Sequence, residues 1–118
     1  MVMAESAVSL RDMRERTAQR VAELLDVFDA IVASSDTANL DDEHDPEGAT
    51  VGFERAQLSS MVERARTQLT EINEALERLR RGSYGVCERC GYQIPGERLG
   101  AQPAARTCVE CAVLDRRN

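Results

Sequence analysis

The chain has 118 residues, which is enough for one compact domain or two small units. Aromatic residues make up only 3% of it, and this scarcity favours helices over a β-sandwich. The formal net charge is −6 and there is no lysine, a balance that disfavours binding to DNA phosphates. The first residues lack the apolar core of a signal peptide and no apolar run reaches transmembrane length, so we expect a cytoplasmic protein without membrane contact.

The first predicted element is an amphipathic helix that begins near residue 7 and ends near Ala33. Its apolar positions recur at steps of three, four and seven residues, which is a near-heptad seam. The seam consists of Leu10, Thr17, Val21, Leu24, Phe28 and Ile31. Residues 34–50 then break the period with Ser, Asp, Asn, Pro and Gly. We therefore expect an irregular, acid-rich connection after this helix.

The second predicted helix covers about residues 51–81. Its seam alternates steps of four and three along Leu58, Val62, Ala65, Leu69, Ile72, Leu76 and Leu79. Arginines at its end suit the helix dipole, and Gly82 suits the position just after the helix. Two such helices joined by an irregular connection predict an antiparallel coiled-coil hairpin, whereas pairing with another chain is the alternative. We favour the intramolecular hairpin and hence a monomer over a dimer.

The four cysteines form two CxxC pairs with seventeen residues between them: Cys87, Cys90, Cys108 and Cys111. This spacing is typical of a zinc site, because two pairs of thiolates complete a tetrahedron. Gly91 can adopt the positive φ that a tight metal-binding turn favours. Redox cysteines and an iron–sulfur cluster are the alternatives. Four protein ligands leave no open position for water, so we predict one structural zinc ion.

After the finger, the sequence predicts a short C-terminal helix with Thr107 as its N-cap. Its apolar residues, Val109, Val113 and Leu114, are expected to pack against the finger or the base of the hairpin. The predicted fold is therefore all-α. A coiled-coil hairpin covers residues 1–82 with an acidic tip at about 34–50, and a small four-cysteine zinc finger with the short helix covers 83–118.

The segment GSYGVCERCGYQIPGERLGAQPAARTCVECA resembles the zinc finger of the DksA/TraR family of bacterial transcription regulators. The matching positions are Gly82, Tyr84, Gly85, Cys87, Cys90, Gly91, Ile94, Arg98, Leu99, Ala101, Pro103, Cys108 and Cys111. A helical hairpin ahead of the finger also fits the order of elements in the family. The resemblance implies a protein that binds RNA polymerase rather than promoter DNA and inserts its coiled coil into the secondary channel of the polymerase.

In the family, acidic residues at the tip act near the catalytic centre of the polymerase, and several members carry D-x-x-D-x-A there. Asp42 and Asp45 have the D-x-x-D spacing, whereas a reading that begins at Asp45 puts Gly48 at the second acidic position. Glu47 stands where those members have alanine. The candidate tip residues are therefore Asp42, Asp45 and Glu47.

The resemblance also bears on the arginine-rich base of the hairpin. Four arginines are candidates for contact with the rim of the polymerase channel: Arg80, Arg81, Arg89 and Arg98. Helix-dipole interactions and pairing with Glu77 and Glu88 would explain part of the same cluster. Members that bind the alarmone ppGpp have Arg and Lys where this chain has Gln102 and Ala112, so we predict no such alarmone site.

We predict a transcription regulator that binds RNA polymerase and acts through the acidic tip. The alternative is a zinc-stapled adaptor that mediates protein association without polymerase activity. Sequence-specific DNA binding is disfavoured by the acidic charge. An enzyme is disfavoured because the metal site has no open position and the chain has no phosphate-cradling glycine loop.

Overall fold

Four helices make up most of the described residues, 2–38 and 46–117, of the computed structural model. They are α1 (Val2–Ala38), α2 (Pro46–Arg81), α3 (Gly96–Ala101) and α4 (Val109–Arg117). Across the described ranges, the extended backbone is limited to a single antiparallel bridge between Val86 and Gln93. The fold is all-α, as predicted. None of the helices in these ranges has the length and apolar character needed to cross a membrane.

Both long helices extend further than the heptad pattern indicates. Helix α1 continues to Ala38 instead of ending near Ala33, and α2 begins at Pro46 instead of near residue 51. Ser, Thr and Asp lower helix propensity by only about 0.7 kcal/mol or less each, so a helix can continue through them. Proline is tolerated in a first turn because its missing N–H has no partner there anyway.

The chain divides into two compact units. The first contains the start of α1, as far as Glu15, together with the chain from Leu69 onward, and the second is Arg16–Gln68. In the first unit the start of α1 lies with the end of α2, as an antiparallel hairpin requires. The division of the chain at residue 82 into hairpin and finger stays a prediction.

The second unit, Arg16–Gln68, contains two facing stretches of the predicted seams. Thr17, Val62 and Ala65 are buried there. The remaining seam positions are half-buried, namely Val21, Leu24, Phe28, Ile31 and Leu58. Burial therefore follows the heptad positions on both helices, and charged residues occupy the solvent faces.

The first unit has a single core in which the helices and the finger meet. Its buried members are Leu10, Ile72, Ala75, Tyr84, Cys87, Ile94, Leu99 and Cys111. Four of them are almost completely inaccessible: Leu10, Ile72, Ala75 and Cys87. The apolar residues of the finger thus pack against both long helices and do not form a separate core.

Helix α4 differs from its prediction in two respects. It begins at Val109, two residues after the predicted cap Thr107. Val109, Val113 and Leu114 are 53%, 42% and 48% exposed, so the expectation that they pack against the finger or the hairpin base was wrong. The buried position of α4 is Cys111, and a helix that turns this residue inward presents Val109 and Val113 to solvent on the opposite face.

Candidate metal centre

The sulfur atoms of Cys87, Cys90, Cys108 and Cys111 form one cluster in which all lie within 4.8 Å of one another. The Sγ atoms of Cys90 and Cys108 are 4.0 Å apart. A zinc ion with four bonds of about 2.3 Å requires sulfur–sulfur edges of about 3.8 Å, whereas a disulfide requires about 2.05 Å. The cluster therefore fits a tetrahedral thiolate site, and the four cysteines are able to bind one zinc ion.

A tight turn shapes the first cysteine pair. The turn lies between the two residues of the Val86–Gln93 bridge, and the Cys87 N–H donates to the Tyr92 carbonyl at 2.8 Å. The Gly91 N–H donates to the Cys87 carbonyl at 2.9 Å. Gly91 has a φ of 80°, a conformation that costs glycine little and other residues more. This confirms the role that the sequence predicts for the glycine after the second cysteine.

The second cysteine pair lies at the start of α4. Cys108 precedes the helix and its carbonyl accepts from the Ala112 N–H at 3.0 Å, while Cys111 lies in the first turn. The segment leading to this pair is held by Arg98, whose Nε donates to the Thr107 carbonyl at 2.7 Å.

Protons are unevenly distributed among the thiols. A hydrogen bond from the Cys90 backbone N–H lowers the pKa of the Cys87 thiol from 9.0 to about 6. A side-chain hydrogen bond with Cys108 raises the pKa of the Cys111 thiol to about 12. Cys87 and Cys111 are buried, whereas Cys90 is exposed. Of Cys87 and Cys111, Cys87 is therefore the ionised thiol at neutral pH when no metal is bound, and Cys111 keeps its proton.

Two hydrogen bonds from side chains to backbone carbonyls hold the loop between the cysteine pairs in place. The Tyr84 hydroxyl donates to the Pro103 carbonyl at 2.7 Å. Nη2 of Arg78, near the end of α2, donates to the Ala104 carbonyl at 3.4 Å. Tyr84 is only 7% exposed, so its hydrogen bond is shielded from water.

A charged network also joins α2 to the finger. Arg106 lies 2.5 Å from Glu74 Oε2 and 3.5 Å from Glu88 Oε2, and Arg78 lies 3.7 Å from Glu88 Oε1. The sequence identified Glu88 as a partner for arginine, but it did not identify Glu74 or Arg106. Those two residues are 32 positions apart, and no local pattern connects them.

The arginines predicted to contact the channel rim all have internal partners. Arg80 and Arg81 pair with Glu77, whose pKa is lowered by the hydrogen bond from Arg80. Arg89 pairs with Asp115 at the far end of α4. The Arg98 guanidinium is half-buried against the Thr107 carbonyl, as described above.

The tip candidates mostly fall on residues without a described placement. Asp42 and Asp45 lie outside the described residues. Glu47 belongs to the first turn of α2 by its backbone. Near the finger, Gln102 is exposed at the end of α3, and Ala112 is half-buried in α4.

Comparison with known proteins places the finger in a recognised class. Residues 82–113 match the family model described as the prokaryotic dksA/traR C4-type zinc finger. General stress protein 16O of Bacillus subtilis (strain 168) is 42% identical over 69 residues, which are 58% of this chain and 42% of that protein. The RNA polymerase-binding transcription factor DksA of Escherichia coli (strain K12) is 35% identical over 52 residues, 44% of this chain and 34% of that protein. The matched stretches thus span less than half the length of these curated relatives.

One solved structure is similar over nearly the whole chain. It is that of transcription factor DksA2 from Pseudomonas aeruginosa, with a TM-score of 0.57 and 26% sequence identity. The likeness covers 98% of this chain and 87% of that one, so it includes the helices as well as the finger.

Proposed function

The chain belongs to the DksA/TraR family through its zinc finger at residues 82–113, and on that premise we propose that it is a transcription regulator that binds RNA polymerase. The observation that carries the proposal is the combination of this finger with two helices of 37 and 36 residues, of which the start of α1 and the end of α2 lie together in the first unit. The E. coli relative is an RNA polymerase-binding transcription factor, which supports the same partner.

The charge distribution supports an action through the hairpin tip. Residues 21–54 hold ten acids without a single Lys or Arg, and the rest of the chain carries a net charge of +4. Each long helix extends about 54 Å along its axis. We infer that an acidic probe of this kind enters the positively charged pore that leads nucleotides to the polymerase active site, drawn by complementary charge.

Within that proposal, Asp42, Asp45 and Glu47 are the residues that act near the catalytic centre of the polymerase. Their carboxylates would alter the local charge around the metal ions and nucleotides handled there. The finger end would stay at the rim, where Arg80, Arg81 and Arg89 hold exposed ion pairs that can be exchanged for acids of the polymerase. Arg98 retains N–H groups for such a contact beyond the one given to Thr107.

We propose that all four cysteines ligate the zinc ion and that its role is structural. A bound zinc ion would cross-link the two cysteine pairs and so fix the finger against the helices. The chain is then a regulator and not an enzyme, and it acts in the cytoplasm, where RNA polymerase works. We expect a monomer that makes no sequence-specific contact with DNA.

Binding to RNA polymerase is the direct test. The zinc-loaded protein is mixed with bacterial RNA polymerase core enzyme, co-elution is measured by gel filtration, and promoter-complex lifetime is measured in parallel. The variant Asp42→Asn/Asp45→Asn is expected to bind the polymerase and to lose its effect on the promoter complex. The matched control is Asp26→Asn/Asp29→Asn, which removes the same charge from two exposed positions of α1.

Three results would count against the proposal. Absence of association at low salt would reject polymerase binding and favour the adaptor. Full regulatory activity in Asp42→Asn/Asp45→Asn would reject the role of the tip. Equal loss of activity in both double variants would show that overall charge matters and not these two carboxylates.

A further inference from the structure

A groove lies between the start of α1 and the end of α2, on residues that play no part in the cysteine cluster. Its volume is about 630 Å³, within the range of about 300–1,000 Å³ that small-molecule sites occupy. Three arginines line it, Arg11 and Arg14 from α1 and Arg80 from α2. All of them belong to the first compact unit.

Two of these arginines have no ion-pair partner within residues 2–38 and 46–117. Arg11 and Arg14 are exposed and one helical turn apart, and among the described residues neither has a salt-bridge partner. Glu77 also lines the groove, but Arg80 and Arg81 already pair with it. Two guanidinium groups on one face of α1 repel each other, and an anion placed between them would relieve that repulsion.

The groove also has an apolar lining. Ala7 from α1 and Leu76 and Leu79 from α2 line it and are half-buried, and the Asn73 side chain adds an amide that can donate and accept. A groove lined by both cations and aliphatic carbon suits a ligand with an anionic group and an apolar body.

We propose that this groove binds an organic phosphate, with the phosphate between Arg11 and Arg14 and the organic part on Leu76 and Leu79. A phosphate carries a charge of about −1.5 to −2 at neutral pH, which matches two uncompensated guanidinium groups, whereas a carboxylate matches only one. Its three terminal oxygens also suit the planar, forked donors of arginine. The site is separate from the zinc cluster and from Gln102 and Ala112, and it does not rest on the proposed polymerase function.

Calorimetric titration of the full-length, zinc-loaded protein tests this site. The two probes are adenosine diphosphate and inorganic pyrophosphate in magnesium-free buffer, because both have two linked phosphates and only the former has an organic body. The variant is Arg11→Gln/Arg14→Gln. The control is Arg20→Gln/Arg64→Gln, which removes the same charge from exposed positions that do not line the groove.

We expect saturable binding of adenosine diphosphate, weakened about tenfold or more in Arg11→Gln/Arg14→Gln and less than about twofold in the control. Pyrophosphate should bind more weakly than adenosine diphosphate to the unmodified protein. Unchanged zinc content and melting temperature would show that the variant is folded, as the exposure of both arginines predicts. The proposal is overturned by absence of saturable binding, by equal losses in the two double variants, or by equal affinity for the two probes.

Discussion

At the scale of single residues, the thiols determine how the metal centre responds to pH. Zinc binds thiolates, so each protonated cysteine must release its proton before it can ligate the ion. Cys87 has a pKa lowered to about 6 and is already ionised at neutral pH, whereas Cys111, with its pKa raised to about 12, is not. The number of protons that zinc must displace therefore changes near pH 6.

We predict that apparent zinc affinity falls as pH falls, and that it falls more steeply below about pH 6. Above that value the protons on Cys90 and Cys111, whose pKa values are raised, must be displaced, and below it Cys87 has become protonated and adds one more proton to be displaced. Competition against a zinc chelator, calibrated separately at each pH between 5 and 8, measures the apparent zinc affinity. We expect this affinity to change on the order of tenfold per pH unit for each displaced proton. A constant slope through pH 6 would contradict the assignment of the low pKa to Cys87.

At the scale of secondary-structure elements, one shielded hydrogen bond fastens the loop between the cysteine pairs. The Tyr84 hydroxyl is the donor and the Pro103 carbonyl is the acceptor. Apolar periodicity cannot reveal this contact, because the loop has no repeat and its only helix, α3, has six residues. The bond keeps the loop close to the body of the finger while the cysteines converge.

We predict that Tyr84→Phe lowers the free energy of unfolding by about 1 kcal/mol, because the Pro103 carbonyl loses its donor in a place that water does not reach. Chemical denaturation of the zinc-loaded protein measures the change. Tyr92→Phe is the matched control, since Tyr92 is 77% exposed, and its effect should stay within about 0.5 kcal/mol. Equal effects of the two substitutions would show that the hydrogen bond contributes nothing specific.

The elements also show what sequence patterns can predict. Heptad spacing identified both long helices because burial follows it, from Leu10 to Ile31 and from Leu58 to Leu79. It did not identify the ends of these helices, because polar residues can extend a helix without adding an apolar position to the heptad seam. Cysteine spacing predicted the cluster of sulfurs, because two CxxC pairs at this separation are typical of a site with four thiolate ligands. The link from Arg106 to Glu74 was missed, since it depends on the tertiary approach of distant segments.

At the scale of the whole molecule, the finger and the helices share one core. Leu10 from α1, Ile72 from α2 and Cys87 from the finger belong to the same buried cluster. Leu10 is 0% exposed, so it depends on neighbours that the finger helps to position. A zinc ion bound by the four cysteines would therefore stabilise the start of α1 as well as the finger.

We predict that zinc removal destabilises the first unit well beyond residues 82–113. Zinc sites of this class contribute roughly 10–16 kcal/mol in isolated peptides, more than the small apolar cluster can replace. Hydrogen exchange after treatment with a chelator should show lost protection in the finger and around Leu10, and retained protection around Ala65 in the second unit. Lost protection confined to the finger would contradict the shared core.

The same shared core constrains how the protein is made. Leu10 precedes Cys111, another member of the same buried cluster, by about a hundred residues in the chain. Translation at about 5–20 residues per second puts at least about five seconds between the synthesis of the two. During that interval the cluster is incomplete, so the apolar surface of α1 around Leu10 stays accessible to chaperones and proteases.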